Sequence, residues 1–221
     1  MSKIDFVLYG AYGYTGRLIT EGCAEAGLRP LLSGRSEEKL KPLAEEFGFE
    51  YRTVDLNDGP ALRDLLQMAP LVLHCAGPFT HTAAPMMDAC LETSTHYLDI
   101  TGEIEVFEAA HKLDPAAKTA NILLMPGVGF DVVPTDCTAA YLHQLLPDAE
   151  HLLLAFSAMG GGMSRGTAKT LVEGMGRPGA VRRNGRITPV PAAYKTREVE
   201  YQPGKPRFSV TIPWGDVSTA Y

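Results

Sequence analysis

Apolar residues fall in short runs separated by longer stretches with helical spacing. Ile4-Asp5-Phe6-Val7-Leu8-Tyr9, Pro30-Leu31-Leu32-Ser33-Gly34-Arg35 and Tyr51-Arg52-Thr53-Val54-Asp55 read as strands. So do Leu71-Val72-Leu73-His74-Cys75, His96-Tyr97-Leu98-Asp99 and Ile122-Leu123-Leu124-Met125. The run at 71–75 is nearly continuous, as a central parallel strand covered on both faces requires. Between the strands, residues 37–47, 59–68, 82–92 and 104–112 have helical patterning. In the helix that begins near residue 16, Leu18, Ile19, Cys23 and Ala24 fall on one face. Strands alternating with helices at this spacing predict an α/β fold with a doubly wound parallel sheet.

The texture changes near Pro126. A helix is expected over 135–145, a strand over 151–157, a glycine-rich turn at 160–167 and a helix over 167–175. Residues 177–207 carry eight of the twenty basic residues against only Glu198 and Glu200. With their prolines they read as loops and short strands. The expected division is a nucleotide-binding unit over 1–127 and a partial α+β substrate unit over 128–221.

Gly10-Ala11-Tyr12-Gly13-Tyr14-Thr15-Gly16 joins the first strand to its helix. Strand, glycine turn and helix together form a site for a dinucleotide pyrophosphate. Gly10 allows a tight turn, and Gly16 lets the helix approach the strand. The helix N-terminus then offers unpaired N–H groups and partial positive charge to the anion. The spacing is G-x-x-G-x-x-G, not the commoner G-x-G-x-x-G.

The second strand ends about twenty residues further on, where an NAD-binding chain carries an acid for the ribose. Here stand Ser33, Gly34, Arg35 and Ser36, with Lys39 one turn later. A guanidinium with nearby hydroxyls suits a 2′-phosphate, so NADP(H) is expected over NAD(H). In parallel sheets, ligands bind beyond the carboxyl ends of the strands. That rule adds Asp55 near the adenine and Ala76, Gly77 and Pro78 beside the ribose. Asp99, Thr101, Glu103 and Asp131 are the polar groups expected near the nicotinamide, and none is singled out as the catalytic acid.

Composition narrows the alternatives. A formal net charge of -6 argues against nucleic acid as the main partner. The densest apolar stretch, 152–156, is too short for a membrane span. The N-terminus shows no signal-like segment, and the four cysteines read as buried free thiols. The expected compartment is the cytoplasm. No histidine pair has helical metal spacing, and no Cys-x-x-Cys occurs, so no metal is expected. A G-x-S-x-G elbow is absent. Tyr201 and Lys205 have the spacing of a short-chain dehydrogenase pair, but Pro203 and Gly204 between them oppose a helix.

These residues resemble the saccharopine dehydrogenase-like NADP-binding oxidoreductases, including trans-acting enoyl reductase-type members. The resemblance rests on the 10–16 loop, Ser33-Gly34-Arg35, Cys75-Ala76-Gly77-Pro78-Phe79 and Tyr97-Leu98-Asp99-Ile100-Thr101-Gly102-Glu103. It extends to Pro126-Gly127-Val128-Gly129-Phe130-Asp131, Gly161-Gly162-Met163-Ser164-Arg165-Gly166-Thr167 and Pro213-Trp214-Gly215-Asp216. It implies an NADPH-binding Rossmann domain followed by a substrate domain built on a mixed sheet. Family members usually run considerably longer than this chain. An incomplete second domain is therefore expected to expose apolar surface and to call for a homo-oligomer or a partner chain. The implied activity is NADPH-dependent reduction of a C=C or C=N bond in a small or acyl-type substrate. A non-catalytic NADP(H)-binding sensor or partner-docking module is the alternative.

Overall fold

The computed structural model describes residues 3–157, 172 and 176–221. Six strands, β1 (Phe6–Tyr9), β2 (Pro30–Gly34), β3 (Tyr51–Thr53), β4 (Leu71–His74), β5 (His96–Asp99) and β6 (Leu124–Met125), form one sheet. All pairs are parallel, in the order β3-β2-β1-β4-β5-β6. The order reverses between β1 and β4, which opens a crevice at their carboxyl ends.

The crossovers are α1 (Tyr14–Ala26), α2 (Glu37–Phe47), α3 (Gly59–Leu66), α4 (Phe79–Thr93), α5 (Ile104–Lys112) and α6 (Asp114–Ala120). Alternation along the strands builds two cores. Val7, Tyr9, Val72 and Tyr97 join one, with Leu62, Leu65, Met86 and Met87 from α3 and α4. Leu8 and Leu32 join the other, with Leu40 and Leu43 from α2. Local signals set the helix ends. Gly27 and Gly48 close α1 and α2 in the left-handed conformation. Asp58 caps α3 through the Ala61 amide at 3.1 Å.

Helix α1 buries Gly16, Thr20 and Cys23, while Leu18 and Ala24 are exposed. The apolar stripe and the buried face of this helix thus share Cys23 but do not coincide. Close approach at Gly16 fixes the helix rotation, and its i+4 and i+7 neighbours follow it inward. The Thr20 hydroxyl donates to the Gly16 carbonyl at 2.8 Å, so a polar residue is tolerated there.

After β6 come α7 (Val133–Leu145), the hairpins β7 (Gly179–Arg183)–β8 (Arg186–Val190) and β9 (Thr196–Glu200)–β10 (Pro206–Val210), and α8 (Asp216–Thr219). The short strands expected over 177–207 are these hairpins. Residues 151–157 form no strand, because no described segment pairs with them. The expected turn at 160–167 and helix at 167–175 lie outside the described residues, Val172 apart. Helix α7 buries none of its residues, and its Tyr141 and Leu145 are exposed. Cys137 on this helix is also exposed, contrary to the expectation of four buried thiols.

Short polar contacts tie the last segment back to the sheet unit. The Ser218 hydroxyl donates to Glu108 on α5 at 2.5 Å, and Thr135 on α7 donates to Asp216 at 2.5 Å. Arg182 donates to the Val217 and Ser218 carbonyls at 2.8 and 3.2 Å and lies over the Tyr221 ring at 4.5 Å. Among the described residues, no helix is long and apolar enough to cross a membrane.

Candidate functional site

The loop after β1 turns on Gly10, whose φ is +83°. A Cβ there would stand 2.8 Å from the Ala76 nitrogen, so the loop abuts the end of β4. The Gly10 and Ala11 amides donate to the Ser33 carbonyl, which joins the loop to β2. A Cβ on Gly16 would stand 2.4 Å from the Gly10 carbonyl oxygen. Glycine at both ends is thus a packing requirement. The α1 N-terminus has no capping side chain and no acid in its first turn. Gly13 and Arg17 amides find carbonyl partners, while those of Tyr14 and Thr15 find none among the described residues. A helix start with open amides and no neighbouring carboxylate is suited to a pyrophosphate.

Arg35 extends from the end of β2 with its side chain exposed, and no acceptor is hydrogen-bonded to its guanidinium among the described residues. Ser36 precedes α2 without using its hydroxyl as a cap. Ser33 is different: it is fully buried, and its hydroxyl donates to the Arg52 carbonyl at 2.8 Å. Its side chain therefore serves the sheet rather than the crevice. The Tyr12 ring packs against Gly34, where a Cβ would meet it at 2.7 Å. The Lys39 ammonium lies 5.6 Å from the centre of that ring. Tyr12 and Lys39 also line a hollow of about 220 Å³ with Arg17, Pro42, Leu43 and Glu46. Arg17 is committed to Glu46 at 2.5 Å and Glu21 at 3.2 Å. Asp55 is exposed beyond β3 and accepts from the Asn57 amide at 2.9 Å.

Ala76, Gly77 and Pro78 follow β4 and lead into α4. Beside them runs a chain of hydrogen bonds. Asp99 is fully buried and accepts from the Tyr97 hydroxyl at 2.5 Å, the Thr101 amide at 2.9 Å and the Gly127 amide at 2.8 Å. Thr101 accepts from the Glu103 amide at 3.1 Å. Glu103 accepts from the Phe79 and Thr80 amides at 3.1 and 2.5 Å. Burial pushes the Asp99 and Glu103 carboxyls above their ordinary values, and these hydrogen bonds oppose the shift. Three of the four expected catalytic candidates thus fasten the ends of β4, β5 and β6.

Asp131 differs from them. Its carboxyl group borders Gly102, where a Cβ would come within 3.2 Å of its own Cβ and Cγ. Burial raises its pKa, and among the described residues no hydrogen bond opposes the shift. Its backbone carbonyl accepts the Trp214 indole N–H at 2.5 Å. Trp214 in turn meets Phe156, ring centres 5.1 Å apart. The placement of Trp214 over Asp131 is absent from the sequence reading. Its signal was modest: the chain's single tryptophan, between Pro213 and Gly215.

The saccharopine dehydrogenase NADP binding domain matches residues 6–125, more than half of the chain. The chain belongs to this family. Its cofactor is NADP(H), and the open amides of the 10–16 loop with Arg35 fit that group. The chain is 26% identical over 204 residues to a saccharopine dehydrogenase-like oxidoreductase of Rattus norvegicus, covering 81% of this chain and 48% of the rat protein. It is 34% identical over 152 residues to a trans-acting enoyl reductase of Mycobacterium leprae, covering 64% of this chain and 36% of that protein. Apo saccharopine dehydrogenase (L-Glu forming) from Saccharomyces cerevisiae shares the fold. The TM-score is 0.62 at 16% identity, over 94% of this chain and 49% of the yeast protein. The chain thus spans about half or less of the length of the relatives it matches.

Proposed function

We propose that the chain is the cofactor-holding part of an NADPH-dependent reductase acting on a C=C or C=N bond of a small or acyl-type substrate. The observation that carries this reading is the uncapped start of α1 with the exposed Arg35, unpaired among the described residues, one strand away. The Tyr14 and Thr15 amides would hold the pyrophosphate. Arg35 and Ser36, with Lys39, would hold the 2′-phosphate. Gly10, Ala11, Tyr12, Gly13 and Gly16 would shape the loop, and Ala76, Gly77 and Pro78 would flank the ribose. Asp55 would border the adenine. Bound NADPH supplies the hydride; the chain's part is orientation and exclusion of water.

The test has two stages. NADPH should bind more tightly than NADH. NADPH oxidation should then follow addition of an enoyl thioester, an enone or an imine. Equal affinity for the two nucleotides would defeat the Arg35 argument.

A second reading is a non-catalytic NADP(H)-binding module. It is favoured by the commitment of Asp99, Thr101 and Glu103 to backbone amides. Tight NADPH binding without turnover on the whole substrate panel, in the full-length protein, would select it.

A further inference from the structure

We propose that the Asp131 carboxyl is the proton donor of this reduction, serving the atom of the double bond that does not receive hydride. The inference rests on the reductase reading above.

Six acids gather where the sheet unit meets the last segment, and five of them are spent. Glu108 accepts from Ser218. Asp99 holds a phenol and two amides, and Glu103 holds two amides. Asp216 accepts from Thr135, and Asp136 accepts from Thr219 at 2.9 Å. An acid acting as a proton donor at Asp99 or Glu103 would have to give up amides that then lose their partners, at a cost of about 1–3 kcal/mol each. Among the described residues no donor engages the Asp131 carboxylate. Its lone pairs are the ones available.

Its position follows from the strand order. The 2′-phosphate side of the crevice lies at β2, so the nicotinamide side lies across β1, toward β4 and β5. Gly102 follows β5 by three positions, and the Asp131 carboxyl sits against it. The absence of a side chain at 102 leaves that room.

The backbone around Asp131 is held while its side chain is not. Trp214 binds its carbonyl. Val132 is buried, and a Cβ on Gly215 would stand 2.7 Å from it. Fixed backbone with an uncommitted carboxyl is the arrangement a general acid needs. Burial also raises its pKa, which retains the proton at higher pH.

The step balances. Hydride adds to one atom of the double bond, and the π electron pair moves to its neighbour. That atom takes the Asp131 proton, the O–H bond breaks, and the carboxylate regains a proton from water. The substrate gains two hydrogens.

The test uses the full chain labelled with 13C at the Asp carboxyls, with Asp131→Asn assigning the resonance. Asp99, Asp136 and Asp216 are followed in the same spectra; Glu103 is silent. With saturating NADP+ the Asp131 midpoint should lie below that with saturating NADPH, because the oxidised ring carries a positive charge. Identical midpoints overturn the proposal. In the second arm, Asp131→Asn should bind NADPH as the parent does yet reduce the responsive enoyl thioester, enone or imine about a hundredfold more slowly. Asp131→Glu should recover part of the rate. Parent-like turnover by Asp131→Asn overturns the proposal. Failure of the parent to bind NADPH overturns the reductase reading instead, and this inference with it.

Discussion

Glu103 immediately precedes one helix and caps another: its carboxylate accepts the Thr80 amide at 2.5 Å, on the first turn of α4. Pro78 stands at the head of that helix and offers no side-chain acceptor. The cap therefore arrives from 23 residues away and pins the end of β4 to the end of β5. A carboxylate paired with two amides contributes through hydrogen bonds of about 1.5–3 kcal/mol each when an ion takes part.

Glu103→Ala should lower the unfolding free energy by about 1–3 kcal/mol in urea titrations and leave NADPH affinity near the parent value. Lost turnover at unchanged stability would mean that Glu103 acts on substrate.

Arg35→Ala should weaken NADPH about tenfold or more while leaving NADH affinity unaltered, since only the former carries the 2′-phosphate. Trp214 is the chain's single tryptophan, so its fluorescence gives a binding signal free of other indoles. An equal loss for both nucleotides would assign Arg35 to folding or to the pyrophosphate.

The parallel sheet was legible because each buried strand is a short apolar run and each crossover has its own period. Helix 37–47 even matches end to end, with Gly48 marking its stop. Helix α6 escaped notice because only seven residues form it, and its signal is little more than Asp114-Pro115 followed by alanines. The glycine loop and Arg35 were legible for a different reason: a backbone that must approach an anion restricts residue type locally. Ser33 misled as a phosphate contact because sequence does not say which way a hydroxyl turns, and here Arg52 supplies the acceptor. Asp99, Glu103 and Asp131 looked equivalent as acids. What separates them is partners 23 to 28 residues distant for the first two and, among the described residues, none for the third. Such pairings depend on how strand ends stack.

Gly10→Ala should damage both fold and binding. At φ +83° an alanine is strained, and its Cβ would stand 2.8 Å from backbone nitrogen and 2.9 Å from a carbonyl carbon. A loss of about 1–3 kcal/mol is expected from the dihedral alone. Gly13→Ala is the control: its Cβ would meet only the Gly10 carbonyl oxygen, at 3.2 Å. Calorimetry should find Gly10→Ala the less stable of the two. The reverse order would mean that the loop is not held against β4.

His74 should make the protein acid-sensitive. The ring is fully buried at the end of β4, packed between Tyr9, Phe79 and Tyr97, with centroid distances of 5.5, 5.4 and 6.3 Å. Neither ring nitrogen has a hydrogen-bond partner among the described residues. Burial lowers its pKa to about 3, whereas an unfolded chain titrates it near 6.5. The stability associated with the neutral ring is complete above pH ~6.5. It declines as pH falls toward 3, by about 1.4 kcal/mol per pH unit for one proton. The raised carboxyls of Asp99, Glu103, Asp131 and Asp216 act in the opposite sense, because they take up protons in the folded state before the unfolded one. They belong equally to a His74→Leu variant, so a comparison cancels them. Urea titrations at pH 7 and pH 5 should show the parent losing about 2 kcal/mol more than His74→Leu over that interval. Parallel losses would mean that His74 meets water, or finds a partner, in the folded protein.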